Sequence, residues 1–402
     1  MKYKTRFALF FGAMILFNLA ANFAHPVTPT IIQNLQLHDY MFGVALAMMQ
    51  LANFLMSPVW GKLNSKISSR LTLLVGCCGY GLAQLWFALA TTELMIILAR
   101  LFAGVFVGGI FVSFLTYVVN MADPKDQPKY LTWSATIQSV AGAFGYLVGG
   151  VLGGVLGEYS IKGTFLIQAL CLLATGAAFF FICLPDKQTE GKIQLGQIVK
   201  DANPFGAFKD CAKFMTLSFA MLFVVNVLIN FGNTGFDQAF NYYLKAQLNL
   251  TSSYNGIIKA AVGLVSFVAN MTLCIWLIQK TDTKKSMALL VGICTLASVG
   301  TLISPKISIF ITFSILVYAG YSVSLPVLQN MVASHADPAQ KNLVMGFYNS
   351  TKSLGSIAGS LTAGFIYAIH PKLPFGCTAL IYGLGLVAAL IFLALSRKKH
   401  KN

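Results

Sequence analysis

Charged residues are scarce in this sequence, and that scarcity excludes a soluble globular protein. Lysine, arginine, aspartate and glutamate make up 10% of its 402 residues, whereas apolar residues make up 57%, and the mean hydropathy is +0.73. A soluble domain carries charge on about a quarter of its residues. The lipid bilayer is therefore the main solvent of this chain.

The motifs of enzymes and metal sites are also missing. The sequence contains no Walker loop, no HExxH helix and no CxxC pair, and its 8 cysteines lie nearly all inside apolar runs, as small buried side chains do. We therefore expect no enzyme activity, no catalytic residues, no metal and no cofactor.

Twelve long apolar runs predict an all-α membrane protein with twelve transmembrane helices. A helix needs roughly 20 residues to cross a bilayer, and none of the runs shows the alternation of a membrane barrel strand. The first run imitates a secretory signal but continues to Ile32, so we expect it to be retained as a helix. The runs cover residues 7–32, 41–60, 71–90, 94–119, 131–157, 161–184, 214–244, 253–279, 286–304, 307–333, 342–369 and 374–396.

The net charge of +16 is explained by the distribution of lysine and arginine between the two sides of the membrane, and not by a nucleic-acid partner. When the N-terminus is placed in the cytoplasm and sides alternate, 21 of the 28 lysines and arginines fall inside and 4 fall outside. This asymmetry predicts that both termini are cytoplasmic. We expect a monomer in a bacterial cytoplasmic membrane, whose partners are the lipid bilayer and a small-molecule substrate, with no nucleic acid.

The longest polar break, residues 185–213, divides the chain into two halves of six helices. We expect a six-helix bundle over 1–184, a cytoplasmic linker over 185–213, and a second six-helix bundle with a short basic cytoplasmic tail over 214–402. Two parallel six-helix repeats are the architecture of one large class of secondary transporters. A channel or a receptor is the alternative to a secondary transporter.

Short matches between the halves indicate that they are repeats. At an offset of 208, Asn18 and Asn22 fall on Asn226 and Asn230, and at an offset of 214, Ala122-Asp-Pro124, Gly145 and Gly150 fall on Ala336-Asp-Pro338, Gly359 and Gly364. The order of the matches and their near-constant offset predict two pseudo-symmetric bundles.

Five ionisable side chains lie deep within predicted helices: His25, Arg100, Asp237, Lys259 and Lys352. Placing an ionisable side chain inside a membrane costs several kcal/mol unless it is paired or faces water, so each of the five is a candidate for proton coupling or substrate binding. Asp237 is the only carboxylate among them, and we expect it to carry the proton or to contact the substrate. The alternatives are a fixed Asp237–Lys259 ion pair, a salt bridge or carbonyl clamp for Arg100, and snorkelling for Lys352.

The balance of these deep charges leaves the sign of the substrate open. Three cations, Arg100, Lys259 and Lys352, stand against one anion, Asp237. Where water is scarce, charge pairing is strong, so this excess favours a carboxylate, phosphate or sulfonate substrate. A carrier of an anionic metabolite or of a lipid-linked anion is therefore the alternative to an exporter of amphipathic compounds.

A stripe of polar side chains follows predicted helix 7 and is repeated in helix 1. Residues spaced four, three, four and four apart share one helix face, and we expect both faces to line a shared cavity. Hydrogen bonds that only hold the bundle together are the alternative. The stripes are Asn226, Asn230, Asn233, Asp237 and Asn241, and Asn18, Asn22 and His25; Gln138, Tyr321 and Gln329 are further candidates for the cavity lining.

Five short motifs resemble those of a known family. They are His25-Pro-Val-Thr-Pro29, Ser57-Pro-Val-Trp-Gly61, the loop Gly61–Arg70, Arg100-Leu-Phe-Ala-Gly104 and Gly145-Tyr-Leu-Val-Gly149-Gly150. Together they resemble the major facilitator superfamily, and within it the twelve-helix drug/proton antiporters such as the quinolone and tetracycline exporters. The sequence departs from this family where Ser65 and Ser68 replace the usual Asp and Gly of the loop and where Tyr146 replaces the usual Pro of helix 5.

This resemblance spans the whole chain and implies a secondary active transporter that works by alternating access. It further implies proton-coupled export of amphipathic small molecules, as in multidrug efflux, with a proton gradient as the energy source. Asp237 aligns with the helix 7 acid of the quinolone exporters, and Arg100 has a family precedent in proton coupling. The gating and packing residues that it implies are Gly61, Arg70, Gly104, Gly145, Gly149 and Gly150, with Gly359 and Gly364 as repeat counterparts.

Overall fold

A computed structural model describes residues 3–23, 31, 35–36, 41–156, 161–186, 204–248 and 252–399. Within these ranges the chain is helical and contains no strand, and each of its twelve long helices overlaps one of the twelve apolar runs. Helix α1 ends at Asn22, and most of the rest of the first run lies outside the described residues. The helices are α1 (Tyr3–Asn22), α2 (Met41–Asn64), α3 (Ser69–Ala88), α4 (Glu93–Met121), α5 (Gln127–Leu156), α6 (Ile161–Ile182), α7 (Leu217–Ala246), α8 (252–280), α9 (Thr283–Ile303), α10 (Ile307–His335), α11 (Lys341–Ile369) and α12 (Leu373–Lys399).

Ten of the helices in the described part are long and apolar enough to cross a membrane by length and composition. Helices suit this solvent because they satisfy every backbone hydrogen bond internally, which lipid cannot do for them. Hydroxyl and carboxylate caps mark where several begin. The side chains of Thr92, Thr216 and Asp282 accept from the backbone N–H groups of Met95, Phe219 and Lys284 at the starts of α4, α7 and α9.

The predicted linker contains a short helix, Pro204–Cys211, followed by the 3₁₀ turn Ala212–Phe214. Proline is favoured at the first position of a helix because its missing N–H would be unpaired there in any case. We call Pro204–Cys211 the linker helix.

Helix α8 is interrupted by a π-helical turn at Asn270–Cys274, between Ser252–Ala269 and Ile275–Lys280. Such turns are rare and occur most often at functional sites. Asn270 is fully buried, and its amide nitrogen donates to the carbonyl oxygen of Ser266 at 2.9 Å and to Oγ of Ser322 on α10 at 3.4 Å.

The chain forms two compact units. The first comprises Met1–Lys213 and Asp337–Ser350, and the second comprises Phe214–Ala336 and Thr351–Asn402. The first turns of α11 therefore pack within the first unit, and the rest of this helix packs within the second. In the first unit α1 packs on α5 and α6, and α4 packs on α2 and α3; in the second α12 packs on α7 and α9, and α10 packs on α8 and α9.

A buried network of neutral polar groups joins α2, α3 and α4. The amide nitrogen of Asn64 donates to Oγ of Ser113 and to Oγ1 of Thr116, both at 3.0 Å, and its Oδ1 accepts from Thr72 at 2.8 Å. All four side chains are buried. Buried polar groups need such partners because their desolvation is otherwise not offset.

Asp186, which follows α6, caps the start of α3. Its carboxylate accepts from the backbone N–H of Ser69 at 2.7 Å, from the hydroxyls of Ser68 and Ser69 at 2.9 and 2.6 Å, and from the amide of Asn120 on α4 at 2.9 Å. An anion at a helix N-terminus satisfies backbone donors and complements the helix dipole. One side chain thus holds three helices together.

Asp186→Ala is expected to destabilise the first unit by about 1–3 kcal/mol, because it removes a cap and leaves several donors without an acceptor. The loss is measured as a lower midpoint of thermal unfolding in detergent. Asp282→Ala is the matched control, since Asp282 is an exposed cap whose carboxylate accepts from the N–H of Lys284 on α9. Equal losses in the two variants would contradict the special role of Asp186.

Candidate functional site

The deep carboxylate of α7 is hydrogen-bonded to α10. The hydroxyl of Tyr318 donates to Oδ1 of Asp237 at 2.7 Å, and the Asp237 side chain is half-buried. The Tyr318 ring meets the rings of Phe236 and Phe240 edge-on, with centroid distances of 5.4 and 5.7 Å. These contacts fix the ring and so hold its hydroxyl in place against the carboxylate.

The asparagines of α7 continue this polar line. The amide nitrogen of Asn230 donates to both oxygens of Asn226, its Oδ1 accepts from the hydroxyl of Tyr321 at 2.8 Å, and the Asn226 amide donates to Oγ1 of Thr351 at 2.9 Å. Asp237, Asn230, Asn226 and Tyr321 therefore come together within the second unit. Hydrogen bonds between these side chains join α7 to α10 and α11.

Three amide oxygens of the second unit accept no hydrogen bond within the described part of the chain. They are Oδ1 of Asn233 on α7, Oδ1 of Asn270 on α8 and Oε1 of Gln329 on α10. Asn270 and Gln329 are buried. Because a buried acceptor without a donor is costly, these oxygens are suited to accept from water or from a bound molecule.

The other polar candidates of the second unit are less defined. Lys352 lies half-buried on α11, next to Thr351. Lys259 and Asn241 lie on α8 and α7, but their side chains fall outside the described residues, as does all of His25. The Asp237–Lys259 ion pair thus stays a prediction.

Arg100 lies in the first unit and faces α3. Its guanidinium stacks on the ring of Phe87 at 3.8 Å and donates to Oε1 of Gln84 at 3.4 Å, while the Gln84 amide donates to the hydroxyl of Tyr80 at 2.8 Å. Only 4% of Arg100 is exposed. A cation held over an aromatic face is stabilised by the ring quadrupole, so these contacts favour the clamp interpretation of Arg100.

The polar candidates of α1 and α5 bond locally. The amide nitrogens of Asn18 and Asn22 donate to the carbonyl oxygens of Met14 and Asn18, one turn earlier on α1, both at 2.8 Å. Gln138 donates to Oγ of Ser134 at 3.5 Å, one turn earlier on α5. The structure therefore gathers Asn18, Asn22 and Gln138 in the first unit, with Arg100.

Most of the motif glycines lie where two helices touch through their backbones. A Cβ atom would meet the carbonyl oxygen of Met49 at Gly104, of Leu19 at Gly145, of Phe23 at Gly149, of Phe231 at Gly359 and of Asn342 at Gly61. At Gly364 the same atom would meet nothing within 4 Å, so the expected close approach is absent there. Gly150 lies within α5 next to Gly149.

The Gly61–Arg70 motif runs from the last turn of α2 to the start of α3, and its basic residues Lys62 and Arg70 contact neighbouring elements. The Arg70 guanidinium lies 5.0 Å from the ring centroid of Phe180 on α6. Lys62 forms an ion pair with Asp210 of the linker helix at 3.0 Å. Asp210 also binds Lys213 at 2.8 Å, and the hydrogen bonds from Lys213 and Lys62 hold the pKa of its carboxyl below the usual range.

Sequence reasoning missed the partners of several candidates. Tyr318 is not among the sequence candidates, although it stands three residues before the candidate Tyr321, on the same face of α10. Asp186 and Asp210 lie in the predicted linker. A signal for its short helix is Pro204, which suits the first position of a helix, followed by the apolar residues Phe205, Ala207 and Phe208.

Comparison with known sequences identifies the class of protein. The sequence model of the Major Facilitator Superfamily matches residues 9–309 and 222–402, and the chain belongs to this superfamily. It is therefore a multi-pass membrane transporter of small molecules and not an enzyme. The predicted family and the predicted all-helical fold are both confirmed.

The chain is similar over nearly its whole length to bacterial resistance proteins. It is 20% identical to Multidrug resistance protein 1 of Bacillus subtilis (strain 168), covering 92% of this chain and 91% of that protein. It is 22% identical to Quinolone resistance protein NorA of Staphylococcus aureus (strain Mu50), covering 99% and 97%. Among solved structures, the human organic anion transporter MFSD10 (TETRAN) has the same fold, with a TM-score of 0.79, 16% identity and coverage of 97% and 100%.

Proposed function

We propose that this chain is a proton-coupled exporter of amphipathic small molecules, of the multidrug efflux type. The single observation that carries the proposal is the Asp237 carboxylate, held by Tyr318 at the end of a stripe of amides on α7. The names of the bacterial relatives, which describe multidrug and quinolone resistance, support the same substrate class. The proposal includes a monomer in a bacterial cytoplasmic membrane with both termini inside.

The mechanism follows from what each group can exchange. An ionised Asp237 attracts a cationic or hydrogen-bond-donating substrate, and a protonated Asp237 releases it, so protonation and substrate binding compete at one carboxylate. The unpaired amide oxygens of Asn233 and Gln329 offer acceptors to such a substrate. In this superfamily's architecture, rocking of the two repeats then exposes the loaded or the protonated site to opposite sides in turn.

A carrier of anions is the second candidate, because Arg100, Lys259 and Lys352 outnumber the one deep carboxylate. The contacts of Arg100 weaken this candidate. Its guanidinium contacts Phe87 and Gln84 of α3, so an anion carrier would have to rely on Lys259 and Lys352 of α8 and α11.

Transport of two dyes of similar size distinguishes the two candidates. We expect inverted membrane vesicles that contain the protein to accumulate the cation ethidium when a pH gradient, acidic inside, is imposed. We expect no accumulation of the anion 8-anilinonaphthalene-1-sulfonate above that of vesicles without the protein. Gradient-driven transport of the anion alone would overturn the exporter and assign Lys352 to the substrate.

A further inference from the structure

Helix α2 is bound to the first turns of α11 inside the first unit. The amide nitrogen of Asn349 donates to Oδ1 of Asn53 at 2.9 Å and to Oγ of Ser57 at 2.8 Å. The hydroxyl of Ser350 donates to the carbonyl oxygen of Phe54 at 2.6 Å. Two helices from different sequence repeats are thus joined by direct and largely buried hydrogen bonds.

The close approach of these two helices depends on paired glycines. A Cβ atom on Gly346 would lie 2.6 Å from the carbonyl oxygen of Ser57, and one on Gly61 would lie 2.6 Å from the carbonyl oxygen of Asn342. The backbones therefore touch, and separating them breaks the hydrogen bonds of this contact together.

The linker helix packs on both helices of this contact. The ring of Phe208 lies between Phe54 of α2, with a centroid distance of 5.3 Å, and Phe347 of α11, with a centroid distance of 6.0 Å. Ala207 is fully buried in a cluster that includes Val59 of α2. The linker helix therefore spans the seam between α2 and α11.

An ion pair fixes the end of the linker helix to α2. Asp210 binds Lys62 at 3.0 Å, with 28% and 26% of the two side chains exposed. Lys62 lies in the last turn of α2, within the Gly61–Arg70 motif, in which serine replaces the family's usual Asp at position 65. Asp210 thus gives this motif a carboxylate partner from the linker helix.

We propose that the linker helix is a clasp that keeps the α2–α11 contact closed, with Phe208 and Asp210 as its positioning residues. In the proposed cycle, rocking of one repeat against the other separates α2 from the first turns of α11 at this end of the bundle, which the charge asymmetry predicts to be cytoplasmic. Because the Phe208 ring contacts both helices, α2 and α11 separate only when the linker helix loses its contacts with at least one of them. The linker thereby sets how often the cytoplasmic side opens.

The clasp is expected to be independent of the proton gradient. The carboxyl of Asp210 has a lowered pKa, so it stays ionised at every pH above the usual pKa range of carboxyl groups. Its ion pair is lost only when the pH falls below that range. Lys62 and Lys213 are the described cations bound to it, and both stay protonated near neutral pH. Its effects are therefore separable from those of Asp237.

Cross-linking across the seam tests the clasp without any substrate. A cysteine pair, Ser57→Cys with Asn349→Cys, replaces two side chains that touch, and mass spectrometry of the linked peptides gives the rate of disulfide formation. Adding Asp210→Asn is expected to slow this rate by about two- to fivefold, the range that loss of one partly exposed ion pair corresponds to. Adding Phe208→Ala, which removes the ring contacts to both helices, is expected to slow it as well. An unchanged rate in both variants would overturn the proposal.

Two further variants separate a clasp from simple damage to the linker. Lys213→Gln removes the other partner of Asp210 and leaves the bond to α2, so the cross-linking rate should equal that of the parent pair. The charge exchange Asp210→Lys with Lys62→Asp should restore the rate that Asp210→Asn loses. A loss in Lys213→Gln equal to that in Asp210→Asn, or no recovery in the exchange, contradicts the clasp.

The transport arm uses ethidium in inverted vesicles. A cytoplasmic side that opens more often presents the site more often, so Asp210→Asn should lower the KM for ethidium by about two- to fivefold and lower the maximal rate as well. A raised or unchanged KM counts against the clasp. If wild-type protein does not move ethidium, the drug-export function fails, whereas the cross-linking result still decides the clasp.

Discussion

Asp237→Asn is expected to reduce pH-gradient-driven accumulation of ethidium to the level of vesicles without a gradient. Asparagine still accepts from the Tyr318 hydroxyl, which lies 2.7 Å from the carboxylate in the wild type, so the fold and the packing should persist. It cannot bind or release a proton near neutral pH, so the exchange of proton for substrate stops. Energy-independent movement of ethidium down its own gradient should continue.

The control for this prediction is the same chemical change at an exposed acid. Asp282 caps α9, and asparagine caps a helix about as well as aspartate, so Asp282→Asn should pump at the wild-type rate. Accumulation by Asp237→Asn that matches the wild type would exclude Asp237 as the proton carrier. The driving role would then pass to another deep group, of which Lys352 is the described candidate in the same unit.

Gly359→Ala is expected to destabilise the second unit by about 1–3 kcal/mol, the typical cost of forcing an extra carbon into a filled contact. The new Cβ would meet the backbone carbonyl of Phe231 and would lie 2.9 Å from the backbone nitrogen of Gly235, both on α7. Backbone atoms of a packed helix cannot move aside as a flexible side chain can. The midpoint of thermal unfolding in detergent and the yield of folded protein should both fall.

Gly364→Ala, five residues further along the same helix, is the matched control. A Cβ there meets nothing within 4 Å, and alanine is the better helix former by about 1 kcal/mol. We therefore expect unchanged or slightly higher stability. Similar losses in both variants would show that α11 needs glycine for a reason other than its contact with α7.

The twelve helices could be predicted because lipid permits little else. A chain with so few charges must satisfy its backbone internally, and each apolar run then becomes one helix. Composition could not reveal the π-helical turn at Asn270–Cys274, since none of its residue types is specific to such a turn. Nor could it show that the linker folds back as a helix.

The repeat could be recognised from the sequence, but its register could not be fixed. A Cβ atom on Gly145 would meet the carbonyl oxygen of Leu19. The offset of 214 carries Gly145 to Gly359, and the offset of 208 carries Leu19 to Val227. Together the two offsets predict that Gly359 lies against Val227. In the structure Gly355 lies on Val227, and Gly359 lies on Phe231, one turn further along. The two offsets are thus inconsistent by one turn, because asparagines and glycines spaced four apart match equally well after such a slip.

The candidate site shows the limit of counting charges. Spacing groups the α7 residues on one face, because helical periodicity determines which residues are neighbours, and the contacts of Asn226, Asn230 and Asp237 agree with it. A count of deep cations does not say which way each one points. Arg100 counts as a positive charge of the cavity in the sequence, yet its guanidinium lies against Phe87 and Gln84 of α3.

The π-helical turn of α8 also bears on how this chain is related to others. A π-helical turn holds one residue more than the α-helix it interrupts, so a relative with an uninterrupted α8 will be one residue shorter between Asn270 and Cys274. An alignment without a gap there pairs every later residue of α8 with a side chain that points about 100° away. A chimera joined beyond this turn on such an alignment would have a second half of α8 rotated by about 100°, so that part of its lipid-facing side would contact the protein.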